Sequence, residues 1–156
     1  MKPYETFSSR FGGNIAFNPE FIVEKSQRFY LLNPRLKKMQ NNFYYAGLYL
    51  GKMKDGIFFP SFNLLNMLAD EVANKIVVDG KTAWLFTCGR DIFASGIVKV
   101  MGSRRKGDAT LVLNEFRECL GFGWIADDLS GSAERVAVKN VLDLGDFLRR
   151  ERRSKE

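Results

Sequence analysis

From Lys75 onward the chain is cut into short apolar runs by glycines and turn residues, and this punctuation restricts the fold more than any other feature. The runs are Ile76 to Val78, Trp84 to Phe86, Ile97 to Met101, Thr110 to Leu113, Cys119 to Ala126 and Val136 to Val141. Between them stand Asp79-Gly80, a corner from Gly89 to Gly96, the stretch Gly102 to Gly107, a turn at Asn114 to Phe116, and Ser130-Gly131. Many short strands with frequent turns predict a closed or nearly closed β-barrel, and closure removes exposed sheet edges. Within it, Trp84 to Phe86 reads as a buried strand broken at Gly89. Arg90 to Ser95 reads as one or two helical turns, and Gly96 as their left-handed cap before the next strand. The corner is either a tight bend of the barrel or a place where a long ligand approaches a backbone without side chains. The chain then runs into a predicted helix from Asp143 to about Arg153. Its aspartates suit the N-terminal end and its arginines the C-terminal end, and Leu144, Phe147 and Leu148 pack it back on the barrel.

The first half has a different rhythm. Met1 to Gly13 is polar and glycine-terminated and reads as a mobile arm, and Asn14 to Phe17 as a short strand. Phe21 to Lys25 and Phe29 to Leu32 read as strands around a turn at Ser26-Gln27. Asn33-Pro34 starts a short helix, since asparagine caps free amides and proline suits the first helical position. Leu36 and Met39 are expected inside, with Arg35, Lys37 and Lys38 as its solvated face. Phe43 to Leu50 is apolar on both faces and reads as a central strand ended by Gly51 and Lys52. Asp55-Gly56 is a hairpin turn into a strand from Ile57 to Phe59, which Pro60 stops. Ser61 or Asn63 caps a helix whose Leu64, Leu65, Leu68 and Val72 recur at helical spacing. The aromatics of this half are expected in the core. The two halves meet near Asn74-Lys75 with no visible linker, which predicts rigidly packed domains at 1–74 and 75–156.

Composition narrows the function. Over 156 residues, 46% are apolar and 27% charged, enough for a packed core. The net charge of +6 favours an anionic partner, nucleic acid being the commonest. The chain has no histidine, which removes the usual general base near neutral pH and the commonest metal ligand. Its two cysteines, Cys88 and Cys119, cannot alone form an ordinary zinc site and are expected buried and reduced. No metal and no cofactor is expected. Residues 1–74 contain no GxGxxG loop and no cysteine. No apolar run reaches membrane-spanning length, and the N-terminus lacks the apolar core of a signal peptide. A soluble, cytoplasmic protein is expected, nucleolar in a nucleated cell.

Three segments carry a family resemblance: GRDIFASGI at Gly89 to Ile97, LGFGWI at Leu120 to Ile125, and VAVKNVLDLGDFLRR at Val136 to Arg150. They resemble the PUA domain, the RNA-binding fold of pseudouridine synthases and archaeosine transglycosylase. With LYLGKM at Leu48 to Met53 and the short helix before Ile76, the chain from Phe29 to Glu151 resembles the Nip-seven family of ribosome-biogenesis proteins. The stretch before Phe29 departs from that family. The resemblance implies an α+β fold, with a small N-terminal α/β (pre-PUA) domain packed on a C-terminal PUA pseudo-β-barrel with a terminal helix. It also implies RNA binding by Arg90, Gly96, Lys99 and Lys139 and by a band of Arg149, Arg150, Arg152 and Arg153. The alternative for that band is dipole complementation at a helix end. Arg104-Arg105-Lys106 is a further basic spot, either a solvated hairpin tip or an RNA contact. The expected function is non-enzymatic: a large-subunit assembly or precursor-rRNA processing factor that meets other assembly proteins through its N-terminal domain. An RNA-modification enzyme or its accessory subunit is the alternative, and a pure protein-interaction scaffold a third.

Overall fold

The computed structural model describes residues 1–13, 15–39, 47–71, 74–129, 134–146 and 149. The chain begins with helix α1 (Pro3–Ser9). A four-stranded antiparallel sheet follows, built in sequence order from β1 (Ile22–Lys25), β2 (Arg28–Leu31), β3 (Leu48–Lys54) and β4 (Ile57–Pro60). Helix α2 (Pro34–Lys38) lies between β2 and β3, and helix α3 (Phe62–Glu71) leaves β4. The second sheet takes β5 (Lys75–Val78), β6 (Ile92–Phe93), β7 (Ile97–Met101), β8 (Ala109–Leu113), β9 (Cys119–Ile125) and β10 (Val136–Asp143), in the order β6-β10-β9-β8-β5-β7. Helix α4 (Gly80–Thr87) follows β5. Residues 144–146 and 149 are helical and begin the terminal helix. This is the expected α+β architecture, with the second sheet curled into a PUA-like half-barrel.

The N-terminal segment is an anchor rather than an arm. Pro3 occupies its first turn, and the Glu5 carboxylate accepts a hydrogen bond from the Lys2 amide at 2.8 Å. Tyr4 and Phe7 lie one turn apart on one face of α1, Phe11 continues that side from the turn after the helix, and all three are buried. That face reaches both sheets. Tyr4 meets Phe29 at 5.6 Å between ring centroids and Phe7 meets Phe58 at 5.6 Å, both in the first sheet. Phe7 and Phe11 meet Phe122 of β9 edge-on at 5.4 and 5.6 Å. Such aromatic pairs add to the area they bury.

One core therefore spans the two halves: Leu50, Leu64, Leu65 and Leu68 share it with Leu111, Leu113 and Phe122. A second core fills the half-barrel, with Ile76, Val78, Phe86, Ile92, Val112 and Val138. Asn74, at the expected boundary, is buried and ties the seam. Its amide donates to the Phe11 carbonyl (3.1 Å), its carbonyl accepts from Leu111 (3.0 Å), and its side-chain oxygen accepts from Ser103 (2.8 Å).

Several elements differ from expectation. Trp84 to Phe86 is helix, because Asp79 is an N-cap and not part of a turn: its carboxylate accepts from the Thr82 amide at 2.7 Å. A three-residue apolar run cannot separate strand from helix, and the cap decides it. Arg90 to Ser95 is accordingly not the helix. It holds the bend, β6 and the start of a 3₁₀ turn at Ala94–Gly96. Ile15 to Phe17 has no strand pairing. β3 runs through Gly51 and Lys52, since the hairpin ladder continues through Lys52–Phe59, Met53–Phe58 and Lys54–Ile57. Met39 is 60% exposed, because α2 ends at Lys38 before that side chain can turn inward. Residues 40–46 and Val72 lie outside the described residues. The Asn33 cap, the Asp55-Gly56 turn and the Ser61 cap on Leu64 are as the sequence predicts.

Candidate nucleic-acid interface

The corner between α4 and β7 is fixed by backbone-directed side chains. Gly89, with φ of +89°, turns the chain out of α4. Asn140 on β10 then holds the bend. Its side-chain amide donates to the Phe86 carbonyl at 2.9 Å, and its backbone amide donates to the Asp91 carboxylate at 2.9 Å. Asp91 is thus occupied in shaping the bend. The Arg90 side chain is left exposed at its tip, without an ion pair among the described residues. Gly96 is buried, and its role is packing. Its carbonyl accepts from the Asp79 amide at 3.0 Å, and a Cβ there would overlap the Thr82 hydroxyl at 2.0 Å. A cavity of about 310 Å³ opens beside it, bounded by Asp79, Lys81, Thr82 and Phe93. Two hydrogen bonds from Thr82, the backbone amide first, hold the Asp79 carboxyl below its ordinary range.

Two aromatics stand out of this corner: Trp84, 66% exposed on α4, and Phe93, 50% exposed on β6. Neither was identified from the sequence as a candidate contact. The helical frame set by Asp79 is the signal that could have found Trp84: with Ala83 and Phe86 turned inward, it points out.

The expected arginine band begins differently. Arg149, half-exposed, is engaged by the protein itself: its guanidinium holds both oxygens of the buried Asp143 carboxylate, at 2.9 and 2.8 Å, and donates to the Thr87 carbonyl at 2.8 Å. Asp143 also caps the terminal helix by accepting from the Asp146 amide at 3.0 Å. The group binds the last helix to the C-terminal end of α4, where a cation complements the helix dipole. It needs Gly145, because any Cβ there would lie 1.9 Å from the Thr87 carbonyl oxygen. Arg149 is therefore a structural clamp. Arg150, Arg152 and Arg153 lie outside the described residues.

Lys99 and Lys139 are exposed but lie on separate strands, with β9, β8 and β5 between β10 and β7. Lys139 is opposite Trp124, and Lys99 opposite Val77. Trp124 and Val77 both pack against the shared core, so the two lysines flank the face covered by the N-terminal half. The basic loop is partly tied down: Arg105 pairs with Asp108 at 3.6 Å, and the Arg104 carbonyl accepts from Leu129 at 3.2 Å. Cys88 is exposed, contrary to expectation: it is the residue that closes the C-terminal end of α4, before the chain bends at Gly89. Cys119 is buried, and burial pushes its thiol up to about 11. Among the described residues no three or more His, Cys, Asp or Glu gather as a metal site, and no helix is long and apolar enough to cross a membrane.

Comparison with known proteins agrees with this architecture. A UPF0113 protein of Archaeoglobus fulgidus is 31% identical over 115 residues, covering 71% of this chain and 65% of that protein. The chain thus spans just under two thirds of that relative's length. A conserved PUA-domain protein of Thermoplasma acidophilum superposes with a TM-score of 0.61 at 23% identity, over 94% of this chain and 90% of that one. A PUA-domain structure from Aeropyrum pernix, in complex with tartrate, gives 0.62 at 21% identity, over 92% and 82%. At these identities the structures establish the fold alone. The UPF0113 PUA-domain model matches residues 74–152, starting at the seam asparagine, and this chain belongs to the UPF0113 PUA-domain family.

Proposed function

We propose that this protein is a non-catalytic RNA-binding factor that works in assembly of the large ribosomal subunit, on single-stranded or looped precursor rRNA. The observation that carries the reading is the corner itself: exposed Trp84 on α4, exposed Phe93 on β6 and an Arg90 side chain with no ion pair among the described residues, on a bend locked by Asn140. Aromatic faces stack on unpaired bases, and a rigid bend spares the entropy of ordering them. PUA domains generally bind RNA, which supports the same conclusion. In this reading Lys139 and the arginines at 150, 152 and 153 extend the contact along phosphates. Arg149 is left out of it. Residues 1–74 form the pre-PUA domain and residues 75–156 the RNA-binding domain. The pre-PUA domain meets other assembly proteins; exposed Ile57 and Met39 on that half suit such contacts. The resemblance to the Nip-seven family supports the ribosomal assignment, and a cytoplasmic protein, nucleolar in a nucleated cell, follows from it.

Crosslinking in cells followed by sequencing tests this. Enrichment of large-subunit rRNA precursors is expected, and crosslinks confined to transfer or messenger RNA would refute the ribosomal assignment. Incubation with RNA and common cofactors, followed by mass spectrometry of nucleosides, is expected to yield no modified base; a new modification would favour the enzyme alternative.

A further inference from the structure

We propose that a second, separate groove also holds RNA. It lies between the C-terminal end of α3 and the β5–β7 edge, where Lys75, Lys99 and Arg117 grip the backbone of a single strand and Phe116 stacks one of its bases. This rests on the RNA-binding reading above but names a surface away from the corner. The groove measures about 340 Å³, and its charged lining is Lys75, Lys99, Arg117 and Asp70. Within this lining three cations stand against one carboxylate. Lys99 and Arg117 are in no ion pair among the described residues. Lys75 is held at the floor, where its ammonium donates to the Ala69 carbonyl at 2.5 Å. An ammonium has three protons, so it keeps donors for a phosphate.

The β8–β9 turn presents the other two groups. Asn114 organises it: its side-chain oxygen accepts from the amides of Phe116 (3.0 Å) and Glu118 (2.9 Å), and its carbonyl accepts from the Arg117 amide (2.9 Å). Its side-chain nitrogen also holds the Glu118 carboxylate at 2.6 Å. Arg117 is thereby kept at φ of +64°, a conformation that non-glycine residues avoid. Phe116 is left 85% exposed next to it. A phosphodiester strand suits this pairing of a bare aromatic face with convergent cations, since it carries both bases to stack and charges to neutralise. An acidic peptide would use the cations and leave Phe116 idle.

The test uses the full chain and a fluorescent oligouridylate of about ten nucleotides, titrated by anisotropy at several salt concentrations. Lys99→Glu combined with Arg117→Glu is expected to weaken binding about tenfold or more and to reduce the log–log salt slope by about 1.4, two phosphates' worth. Phe116→Ala, at an exposed position, is expected to weaken it about fivefold or more without changing the slope. Unchanged affinity and slope in the double variant would overturn the groove. If Arg90→Glu with Lys139→Glu loses binding in the same assay, the corner reading then survives alone. A wild-type chain that ignores the oligouridylate but binds polyglutamate through Lys99 and Arg117 would overturn both.

Discussion

Arg149 illustrates how one side chain can hold a structural role that its neighbourhood in sequence does not reveal. It sits among arginines that suggest a phosphate surface, yet the Asp143 carboxylate is 3% exposed and takes both guanidinium bonds. Arg149→Ala removes the partner of a buried acid and is expected to cost about 2 kcal/mol, read from urea unfolding. Arg149→Lys should recover little of it, since an ammonium cannot form the two-pronged contact. An alanine scan that includes Arg149 would thus confuse lost folding with lost binding. Cys119 gives a second test at this scale. Its thiol is raised from 9.0 to about 11 by burial, so the folded state prefers the neutral form. That contribution is complete below pH 9 and is lost as pH rises toward 11. It amounts to about 2–3 kcal/mol. Cys119→Ala should flatten that part of the stability-versus-pH curve. An unchanged slope between pH 9 and 11 would contradict the assignment.

Among the elements, α1 and α4 depart furthest from expectation, and for the same reason. Both are too short for periodicity to be plain, and both are set by capping or by aromatics whose partners are distant in sequence. In α1 and the turn after it the spacing of Tyr4, Phe7 and Phe11 is visible, but Phe29, Phe58 and Phe122, which give it meaning, lie tens of residues away. Phe11→Ala should therefore cost about 3–5 kcal/mol in thermal or urea unfolding, where a mobile arm would tolerate it freely. In α4 the decisive residue is Asp79, and Asp79→Ala should cost about 1 kcal/mol. Because its carboxyl is held low in the folded state, its stabilisation is present above the ordinary carboxylate pKa and lost as pH falls through the folded value. Asp79→Asn should keep the cap and remove that acid dependence. The strands were more legible. β5, β7, β8 and β9 are mostly apolar runs bounded by glycine or turn residues, and local pattern suffices for them.

At the scale of the molecule, the chain is two sheets joined by one core, so the N-terminal half covers the middle of the half-barrel sheet and leaves cations on both flanks. The sequence indicated a basic protein with an α+β fold, but not this division: Lys99, Lys139 and Arg90 belong to different strands and bends, and only the strand order separates them. The exposed aromatics were the least legible part, since Trp84, Phe93 and Phe116 look like core residues until the elements around them are assigned. The measurement that bears most directly on the central claim is the affinity of the full chain for single-stranded RNA as a function of salt. The proposed RNA-binding role predicts a linear fall of log K with log salt, with a slope of about −2 to −3 for three or four neutralised phosphates. Arg90→Glu with Lys139→Glu should make that slope shallower, with unfolding unchanged. Absence of binding at low salt, or an affinity indifferent both to salt and to these charges, would contradict it.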